Sequence, residues 1–508
     1  MDTSSTFVNR ESELQDVLDA VDILQDEQRL LRKPIFEFWG VQGIGKSELL
    51  KQIKTECSNK SLFCVMEEAY NVTDASFEDV ELRLFERRPV VIIIDALDAT
   101  SAEQLQRIEG ILGKFIENDK LFVVLAGRNI QRFDNTRTIA RRLTLYPLRS
   151  LERESCLSYL DKCAAVLPLP TRNMIFEWTK GYPIAMKVMT DVMLKEQLDP
   201  LQDQEKIIHI LMSEVVEKRL LASVALPHDK KRFQILLALL SVPRRFNLIL
   251  IQSLVKKFAP EYELENSLAY IMLPPSINEV TSVLNWSLER AGYSIDAPVR
   301  SLFLLQYRIE QPLRYVEIHK FLADENERFI GEVNGSDSIR YLREFFYHLA
   351  YSEEEARVRE ILGKRIEQFL PEKVNDKPIS LHTLDNFLPF YEEFQQDDEL
   401  KEALKSENTS FALSRMRKIF IEIYRYLPPD TRSQYLRRFF SHTAHVAKDE
   451  DFALIFEDGM RQIIKQESSG AAIKLYQELI QDEELQNLLG KNFKDLKERI
   501  SRLLEEGQ

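Results

Sequence analysis

Short apolar runs of strand length alternate with helical segments through the first 150 or so residues. Five such runs lie near residues 35–39, 62–66, 90–94, 121–126 and 142–146. The segments between them carry apolar residues at the three- and four-residue spacing of amphipathic helices. Apolar strands that are separated by helices are typical of a parallel sheet covered on both faces. The pattern therefore predicts an α/β domain at the start of the chain.

Helical periodicity dominates the later part of the chain. From about Ser338, apolar and aromatic residues recur three and four positions apart over residues 339–370, 413–428 and 470–489. These stretches predict helical hairpins whose aromatic stripes pack in a core. The stretch at 470–489 has some tetratricopeptide character, although the chain shows no regular period of about 34 residues. Residues 494–508 predict a charged amphipathic helix at the surface.

A glycine-rich stretch joins the first predicted strand to a predicted helix. The residues GVQGIGKS fit the G-x-x-x-x-G-K-[ST] pattern of a P-loop. Gly40, Gly43 and Gly45 let the backbone approach phosphates closely, and the following helix offers N–H donors. We expect Lys46 to reach the β- and γ-phosphates and Ser47 to bind Mg²⁺ through its hydroxyl. The full match between a strand and a helix argues against a chance glycine turn.

Polar residues end two further apolar runs. The run VVIII ends at Asp95, which we expect to hold Mg²⁺ through water at the carboxyl end of a parallel strand. Asp98 is expected either to orient an attacking water or to cap the helix that starts near Ser101. The next run leads to Arg128, which we expect to sense the γ-phosphate, with a solvated loop arginine as the alternative. Together these residues predict a nucleotide-hydrolysing site.

Length and charge limit the function further. A chain of 508 residues is too long for one core and suggests about three or four domains. The net charge of −14 disfavours a broad grip on nucleic acid or anionic membrane, both of which need a positive surface. The four cysteines lack zinc-site spacing, and we expect reduced, mostly buried thiols. The sequence shows no signal-peptide or bilayer-spanning pattern, so we expect a cytoplasmic protein without membrane contact.

Weaker motifs flank the P-loop in the order found in STAND ATPases, the class that includes the NB-ARC switches. FVNRESEL, which starts at Phe7, resembles the hhGRExE box, with Asn9 where the family has glycine. RRLTLYPLRSLERESCLSYL is similar to the family's exit from the sheet into a helical subdomain, and KGYPIAMKVM is similar to its GxP motif. The resemblance extends over about residues 7–325.

The resemblance implies an α/β fold followed by mostly α-helical regions. These are a parallel-sheet P-loop NTPase domain at 1–149, a helical subdomain at 150–205, a winged-helix domain at 206–330 and an α-helical sensor or interaction array at 331–508. The expected winged helix consists of helices at 230–242, 247–259 and 277–292, a wing strand at 301–308 and a final helix at 314–329.

The resemblance also implies nucleotide contacts outside the glycines and Lys46. Those residues are Val8, Arg10, Ile44, Glu48, Pro183 and His319. Pro183 is expected to pack on the adenine side of the nucleotide. His319, in VEIHKFL, is expected to contact the β-phosphate of ADP and lock a closed state, with an ordinary helix-surface histidine as the alternative. Its neighbours Ile318 and Lys320 depart from the methionine and aspartate common in the family.

The leading hypothesis is therefore an ATP/ADP switch with slow, Mg²⁺-dependent hydrolysis. ADP would hold the domains closed, and a signal on the C-terminal helices would allow ATP to enter and a homo-oligomer to form. Because the resemblance begins at Phe7, we expect the effector to be a separate protein partner.

Two other functions remain open. An initiator-type ATPase would act on DNA through the winged helix, but the candidate recognition helix TSVLNWSLERAG has one arginine and no lysine, so we do not expect nucleic acid binding. A nucleotide-binding scaffold would not hydrolyse nucleotide at all.

Overall fold

The chain forms two compact units in the computed structural model. The model describes residues 10–130, 137–287, 292–333, 336–368 and 381–426. The first unit ends at Pro312 and the second begins at Leu313. Val8, the stretch at 470–489 and the residues 494–508 lie outside the described residues. The finer boundaries near 150, 206 and 331 stay predictions.

A parallel five-stranded sheet lies at the centre of the first unit, as the apolar runs predict. The strands are Ile35–Trp39 (β1), Phe63–Glu68 (β2), Val90–Asp95 (β3), Leu121–Gly127 (β4) and Leu143–Pro147 (β5). They lie in the order β2-β3-β4-β1-β5, and all neighbouring strands are parallel. The carboxyl ends of β3, β4 and β1 therefore lie side by side, which is where ligands bind in open α/β sheets.

Amphipathic helices flank the sheet. They are Glu11–Gln25 (α1), Lys46–Asn59 (α2), Glu78–Phe85 (α3), Ala102–Phe115 (α4) and Arg137–Arg141 (α5). Apolar positions three and four apart give each long helix one buried face, such as Leu49, Leu50 and Ile53 on α2. Because helices pack on β3 and β4, every residue of these two strands is buried. Strands that are covered on both faces therefore have almost continuously apolar sequences.

Four further helices follow the sheet: Arg153–Cys163 (α6), Leu169–Thr179 (α7), Pro183–Lys195 (α8) and Gln204–Leu211 (α9). A π-helical segment, Met212–Leu220, continues α9. The chain reverses between α7 and α8 through Lys180 and Gly181, which have φ angles of 47° and 73°. Pro183 then occupies the first turn of α8, where its missing N–H costs nothing.

The last part of the first unit corrects the sequence prediction. It contains Pro227–Ser241 (α10), Leu248–Phe258 (α11), Ser267–Thr281 (α12), the antiparallel hairpin Leu284–Ser287 (β6) and Gly292–Ile295 (β7), and Ala297–Glu310 (α13). The first two predicted helices are confirmed. The helix predicted at 277–292 is wrong for residues 284–287, which form β6, and the strand predicted at 301–308 is helical.

Local contacts explain both corrections. Ser282 takes a left-handed conformation that ends α12, and the Asn278 side chain bonds both the N–H and the C=O of Leu284 at 2.7 Å. These two hydrogen bonds hold Leu284 at the start of β6. The helical spacing of apolar residues continues past this point in the sequence, which is why periodicity alone predicts a longer helix. The run SLFLL resembles a strand because both sides of α13 are buried, and periodicity does not separate a buried helix from a buried strand.

The second unit is helical wherever it is described. Its helices are Pro312–Glu332 (α14, whose first residue closes the first unit), Ser336–Ser352 (α15), Glu355–Glu367 (α16), Leu381–Gln396 (α17) and Asp398–Tyr426 (α18). Phe345, Phe346 and Tyr347 are buried, which confirms that these aromatic residues of the predicted stretch at 339–370 are core packing. Phe387, Phe390 and Phe394, which lie outside the predicted stretches, are fully buried as well. Among the described helices, none has the length and apolar composition needed to cross a bilayer.

Candidate functional site

The glycine-rich loop between β1 and α2 has the backbone shape that the motif predicts. Gly43 and Gly45 have φ angles of 81° and 103°, which side chains rarely permit. A Cβ on Gly43 would lie 2.6 Å from the Ile184 side chain, so this glycine also allows the loop to pack on α8. By contrast, a Cβ on Gly45 would meet nothing within 4 Å. The loop therefore leaves open space beside Gly45, at the N-terminus of α2, which fits a phosphate cradle.

Side chains from distant parts of the first unit hold the outer side of this loop. Arg10 is buried, and its guanidinium donates to the carbonyl of Ile44 at 3.3 Å and to that of Arg149. The Tyr182 hydroxyl donates to the carbonyl of Gln42. Arg10 and Ile44, both predicted site residues, are therefore in contact through the Ile44 backbone carbonyl. Tyr182 was missed, although it lies inside the recognised KGYPIAMKVM stretch.

The turn before α8 is fixed by one close approach. Gly181 lies so near Leu151 that a Cβ on it would clash with the Leu151 carbonyl, and Leu151 N–H donates to the Gly181 carbonyl at 2.9 Å. This contact positions Tyr182, Pro183 and Ile184 against the loop. The packing of Pro183 on an adenine ring stays a prediction.

Lys46 is the cation at the centre of the site. Its ammonium donates to the carbonyls of Gly40 at 2.6 Å and Val41 at 3.1 Å. Burial lowers the pKa of Lys46 to about 8, although the Asp98 and Asp95 carboxylates favour its charged form. A buried ammonium beside an open cradle is suited to bind an anion.

The two residues after Lys46 face outward. Ser47 and Glu48 are exposed, and the Glu48 carboxylate pairs with Lys51 at 2.8 Å on the outer face of α2. The predicted nucleotide contact of Glu48 stays a prediction. The Mg²⁺ contact of Ser47 stays a prediction.

The strand tips supply two carboxylates and an arginine. Asp95, at the end of β3, is buried and accepts the Ala96 N–H at 2.7 Å, and Ala96 is left-handed with a φ of 57°. Asp98 accepts the Arg128 backbone N–H at 2.7 Å and the Arg128 Nε–H at 2.9 Å. The structure thus brings Asp98 and Arg128 together as an ion pair.

The alternative role of Asp98 as a helix cap is wrong. Helix α4 begins at Ala102, and its N-cap is Ser101, whose hydroxyl accepts the Gln104 N–H at 3.2 Å. Each oxygen of Asp98 instead accepts one bond from Arg128 at the strand tips.

A third carboxylate near Lys46 was not predicted. Asp296 lies between β7 and α13, and its Oδ1 accepts from the Asn285 side chain at 2.6 Å. Burial raises the pKa of Asp296 to about 6, against the opposing effects of Asn285 and Lys46. Burial and the charge of Asp296 also raise the pKa of the Tyr182 hydroxyl. No sequence motif marks Asp296, since its approach to Lys46 depends on how the hairpin packs.

His319 belongs to the second unit. It is fully buried on α14, and its Nδ1 lies 2.9 Å from Nδ1 of His348 on α15. The rings of Tyr315 and Tyr351 pack on it at 4.4 and 4.7 Å between centroids. The alternative of a helix-surface histidine is therefore wrong. Its contact with a β-phosphate stays a prediction.

The described part of the site fits the phosphates of a nucleotide. The loop supplies backbone N–H donors and Lys46 supplies positive charge. Ser47 and Asp95 are the residues that would hold Mg²⁺, which prefers oxygen ligands. Bound Mg²⁺ would neutralise phosphate charge. The Asp98–Arg128 pair is suited to position polar groups beside the cradle.

The comparisons with known proteins add little to this geometry. No protein-family model matches the chain, and no curated protein does. Among solved structures, a STAND protein with a tetratricopeptide repeat sensor from Pyrococcus horikoshii is 13% identical over 99% of this chain and 80% of its own, with a TM-score of 0.28. The branch migration motor RuvB of Thermotoga maritima is 14% identical, covering 57% of this chain and 93% of its own, with a TM-score of 0.33.

A third structure, AMPPCP-bound DnaA from Aquifex aeolicus, is 14% identical over 53% of this chain and 95% of its own, with a TM-score of 0.32. Similarities of this size carry no argument about what this chain does. The fold and the site rest on the geometry described above.

Proposed function

We propose that this protein is an adenine-nucleotide-dependent molecular switch of the STAND class, which binds ATP or ADP with Mg²⁺ and hydrolyses ATP slowly. One observation carries the proposal. The glycine-rich loop, which leaves space for phosphates, contains a half-buried lysine whose surroundings include the carboxylates of Asp95 and Asp98. Such an arrangement favours a polyphosphate with a metal ion over a simple anion.

Slow hydrolysis follows from the state of Asp98. Both of its carboxylate oxygens are occupied by Arg128, one by the backbone N–H and one by the side chain. A carboxylate must accept a hydrogen bond from water to orient it for attack. Because the pair occupies two of the roughly four acceptor sites of this carboxylate, fewer remain to orient a water, and we expect turnover to be slow and to serve as a reset.

A switch also needs a connection from the site to the rest of the protein. Tyr182 and Ile184 connect the loop to α8, and Arg10 connects it to the start of α1. A change in the loop backbone on phosphate binding would therefore alter contacts with both helices. A ligand that binds two conformations unequally shifts their populations by that difference. We infer that ATP-bound protein self-associates and acts on a separate protein partner.

The proposal leaves DNA binding open. Residues 281–287 of the predicted recognition helix are the last residue of α12, a turn and strand β6, so the low positive charge of that segment does not argue against a nucleic acid partner. The argument that remains is the net charge of −14.

Nucleotide titration tests the proposal. Isothermal titration with ADP and a non-hydrolysable ATP analogue, with and without Mg²⁺, should give saturable binding that Lys46→Ala abolishes. Lys51→Ala is the matched control, because Lys51 lies on the same helix but pairs with Glu48 on its exposed face. A folded Lys46→Ala variant that binds as the wild type does would refute the P-loop assignment.

A further inference from the structure

Helix α12 has apolar residues on the face that it exposes to solvent. Leu268, Ile271 and Met272 are 69%, 48% and 58% exposed, and Pro275 is exposed as well. These four residues, which we call the α12 stripe, follow the i, i+3, i+4, i+7 spacing and therefore lie along one side of the helix. The opposite side of α12 is buried. Single exposed apolar residues are ordinary, whereas a contiguous stripe of them marks an interaction surface.

No charged residue interrupts the α12 stripe. Residues 266–278 contain none, although 30% of the whole chain is charged. Helix α3 shows the ordinary arrangement, because its Leu82, which is 58% exposed like Met272, stands between Glu81 and Arg83. When another apolar surface covers the stripe, no charge of the stripe itself has to leave water. The α12 stripe is therefore suited to be covered by an apolar surface.

Carboxylates lie at both ends of the stripe. The acidic residues are Glu261, Glu263, Glu265 and Glu279. Glu279 continues the helical spacing four residues after Pro275, and the other three come from the segment before α12. The Leu264 N–H donates to the Tyr270 hydroxyl at 3.2 Å, which holds that segment beside the first turns of the helix. All four carboxylates are exposed, and within the described residues none of them pairs with a cation.

We propose that the α12 stripe is the docking surface for a basic amphipathic helix of a protein partner. The apolar face of such a helix would cover the stripe, and lysine or arginine residues beside that face would pair with the carboxylates at its ends. A second copy of this chain would instead place like charges opposite each other, and an anionic membrane would meet the same repulsion. The inference deepens the proposed function, since it gives the separate protein partner a surface, but it requires no nucleotide.

Fluorescence anisotropy with a labelled model peptide tests this surface on the full chain without nucleotide. The probe is an amphipathic helix of about 18 leucine and lysine residues, with the leucines at the spacing of the stripe. One comparator has glutamate in place of every lysine, and the other has the composition of the probe in a scrambled order without an apolar face. We expect saturable binding of the probe alone. No binding of the probe, or equal binding of the scrambled peptide, would overturn the proposal.

A variant on the stripe locates the binding. Met272→Ser should weaken binding of the probe by about tenfold or more, because one apolar contact is lost. The matched control is Leu82→Ser, which removes an equally exposed apolar side chain from α3 and should leave the affinity unchanged. Circular dichroism verifies that both variants fold. An unchanged affinity in Met272→Ser, or equal weakening in the two variants, would overturn the assignment to α12.

Two paired variants test the charge of the partner. Glu265→Gln with Glu279→Gln should weaken binding of the probe about two- to tenfold and make it less sensitive to salt, because exposed charge pairs contribute little each and are screened. The control, Glu78→Gln with Glu81→Gln on α3, removes the same net charge elsewhere. If the control pair weakens binding as much, the probe responds only to the net charge of −14, and the assignment to a basic partner is wrong.

Other occupants of the stripe have their own signatures. A dimer of the wild-type protein that forms without the probe and is lost in Met272→Ser, measured by light scattering, would assign the stripe to a second copy and overturn the proposal. Binding to phosphatidylserine vesicles that Met272→Ser abolishes would assign it to a membrane and overturn the proposal too. Nucleotide titration keeps this inference separate from the proposed function. Protein that binds ADP and the ATP analogue but not the probe refutes only the docking surface, whereas protein that binds only the probe refutes the switch.

Discussion

Each of the two units buries polar side chains, but in different surroundings. In the first unit, Lys46 and Asp296 are partly buried. Burial lowers the pKa of Lys46 and raises the pKa of Asp296, so it favours the neutral form of each side chain. In the second unit, His319 and His348 share a hydrogen bond within a layer of tyrosine rings. A buried charge is costly without compensation, whereas two buried rings that hydrogen-bond each other are ordinary core structure. From this contrast we expect ligand chemistry at Lys46 and a structural role for His319.

The largest effect is expected from loss of the Lys46 charge. Lys46→Ala should weaken nucleotide binding by about a hundredfold, since a charge-assisted hydrogen bond to phosphate contributes up to about 3 kcal/mol. Titration of a fluorescent ATP analogue measures it, with Lys51→Ala as the control. If Lys46→Ala weakens nucleotide binding by less than about tenfold, Lys46 is not a main nucleotide contact, and the contrast between the two units fails.

Loss of the strand-end carboxylate should separate binding from turnover. Asp95→Ala is expected to lower ATP hydrolysis about a hundredfold while ADP affinity changes little, because the metal loses its anchor. A phosphate-release assay beside an ADP titration measures both quantities. The exposed Asp74, whose carboxylate is 3.9 Å from Lys114, provides the control variant Asp74→Ala. Hydrolysis at the wild-type rate in Asp95→Ala would exclude its metal role.

For the histidine pair we expect a loss of stability and no loss of nucleotide binding. His319→Ala removes the Nδ1 partner of His348 and leaves a cavity between α14 and α15, so it should lower the free energy of unfolding by about 2–3 kcal/mol. Urea unfolding followed by circular dichroism measures this loss, and the exposed His228→Ala is the control. The alternative, a lock on ADP, predicts faster ADP release instead. A stable variant that releases ADP faster would assign His319 to the site.

The smallest effect concerns the acidity of Asp296. Because burial raises its pKa to about 6, the folded protein binds more protons than the unfolded chain between about pH 4 and 6. Stability should therefore fall as the pH rises through that window. Asp296→Asn should remove about 1–2 kcal/mol of this pH-dependent change in the free energy of unfolding. This figure allows for solvent screening, because the side chain is partly exposed. Urea unfolding of wild type and Asp296→Asn at pH 4.5 and 7 measures this. The same change in the free energy of unfolding between the two pH values for both proteins would contradict it.

Local motifs explain which parts of the molecule the sequence predicts well. The five strands are apolar because helices cover them, and the P-loop glycines are set by backbone conformation at their own positions. Helix α13 was taken for a strand because it is buried on both sides. The cap of α4 was assigned in part to Asp98, although Ser101 stands closer to the helix start.

Non-local contacts account for what the sequence does not predict. Asp296 and Lys46 interact only because the hairpin and α13 fold back toward the loop, and nothing in the residues around Asp296 marks that meeting. Tyr182 is similar, since its hydroxyl reaches the carbonyl of Gln42 across the fold. The motifs thus predict the P-loop and the polar residues at the strand ends, whereas the contacts of Tyr182 and Asp296 depend on tertiary packing.

Molar mass and hydrodynamic radius, measured together by light scattering on a size-exclusion column, test the switch most directly. The protein is loaded once with ADP and once with a non-hydrolysable ATP analogue, each with Mg²⁺, and Lys46→Ala is run in parallel. The account predicts a species near the chain mass of 59.5 kDa in ADP, a larger species in the analogue, and no difference for Lys46→Ala. Identical mass and radius in the two nucleotides, with both shown to be bound, would contradict it.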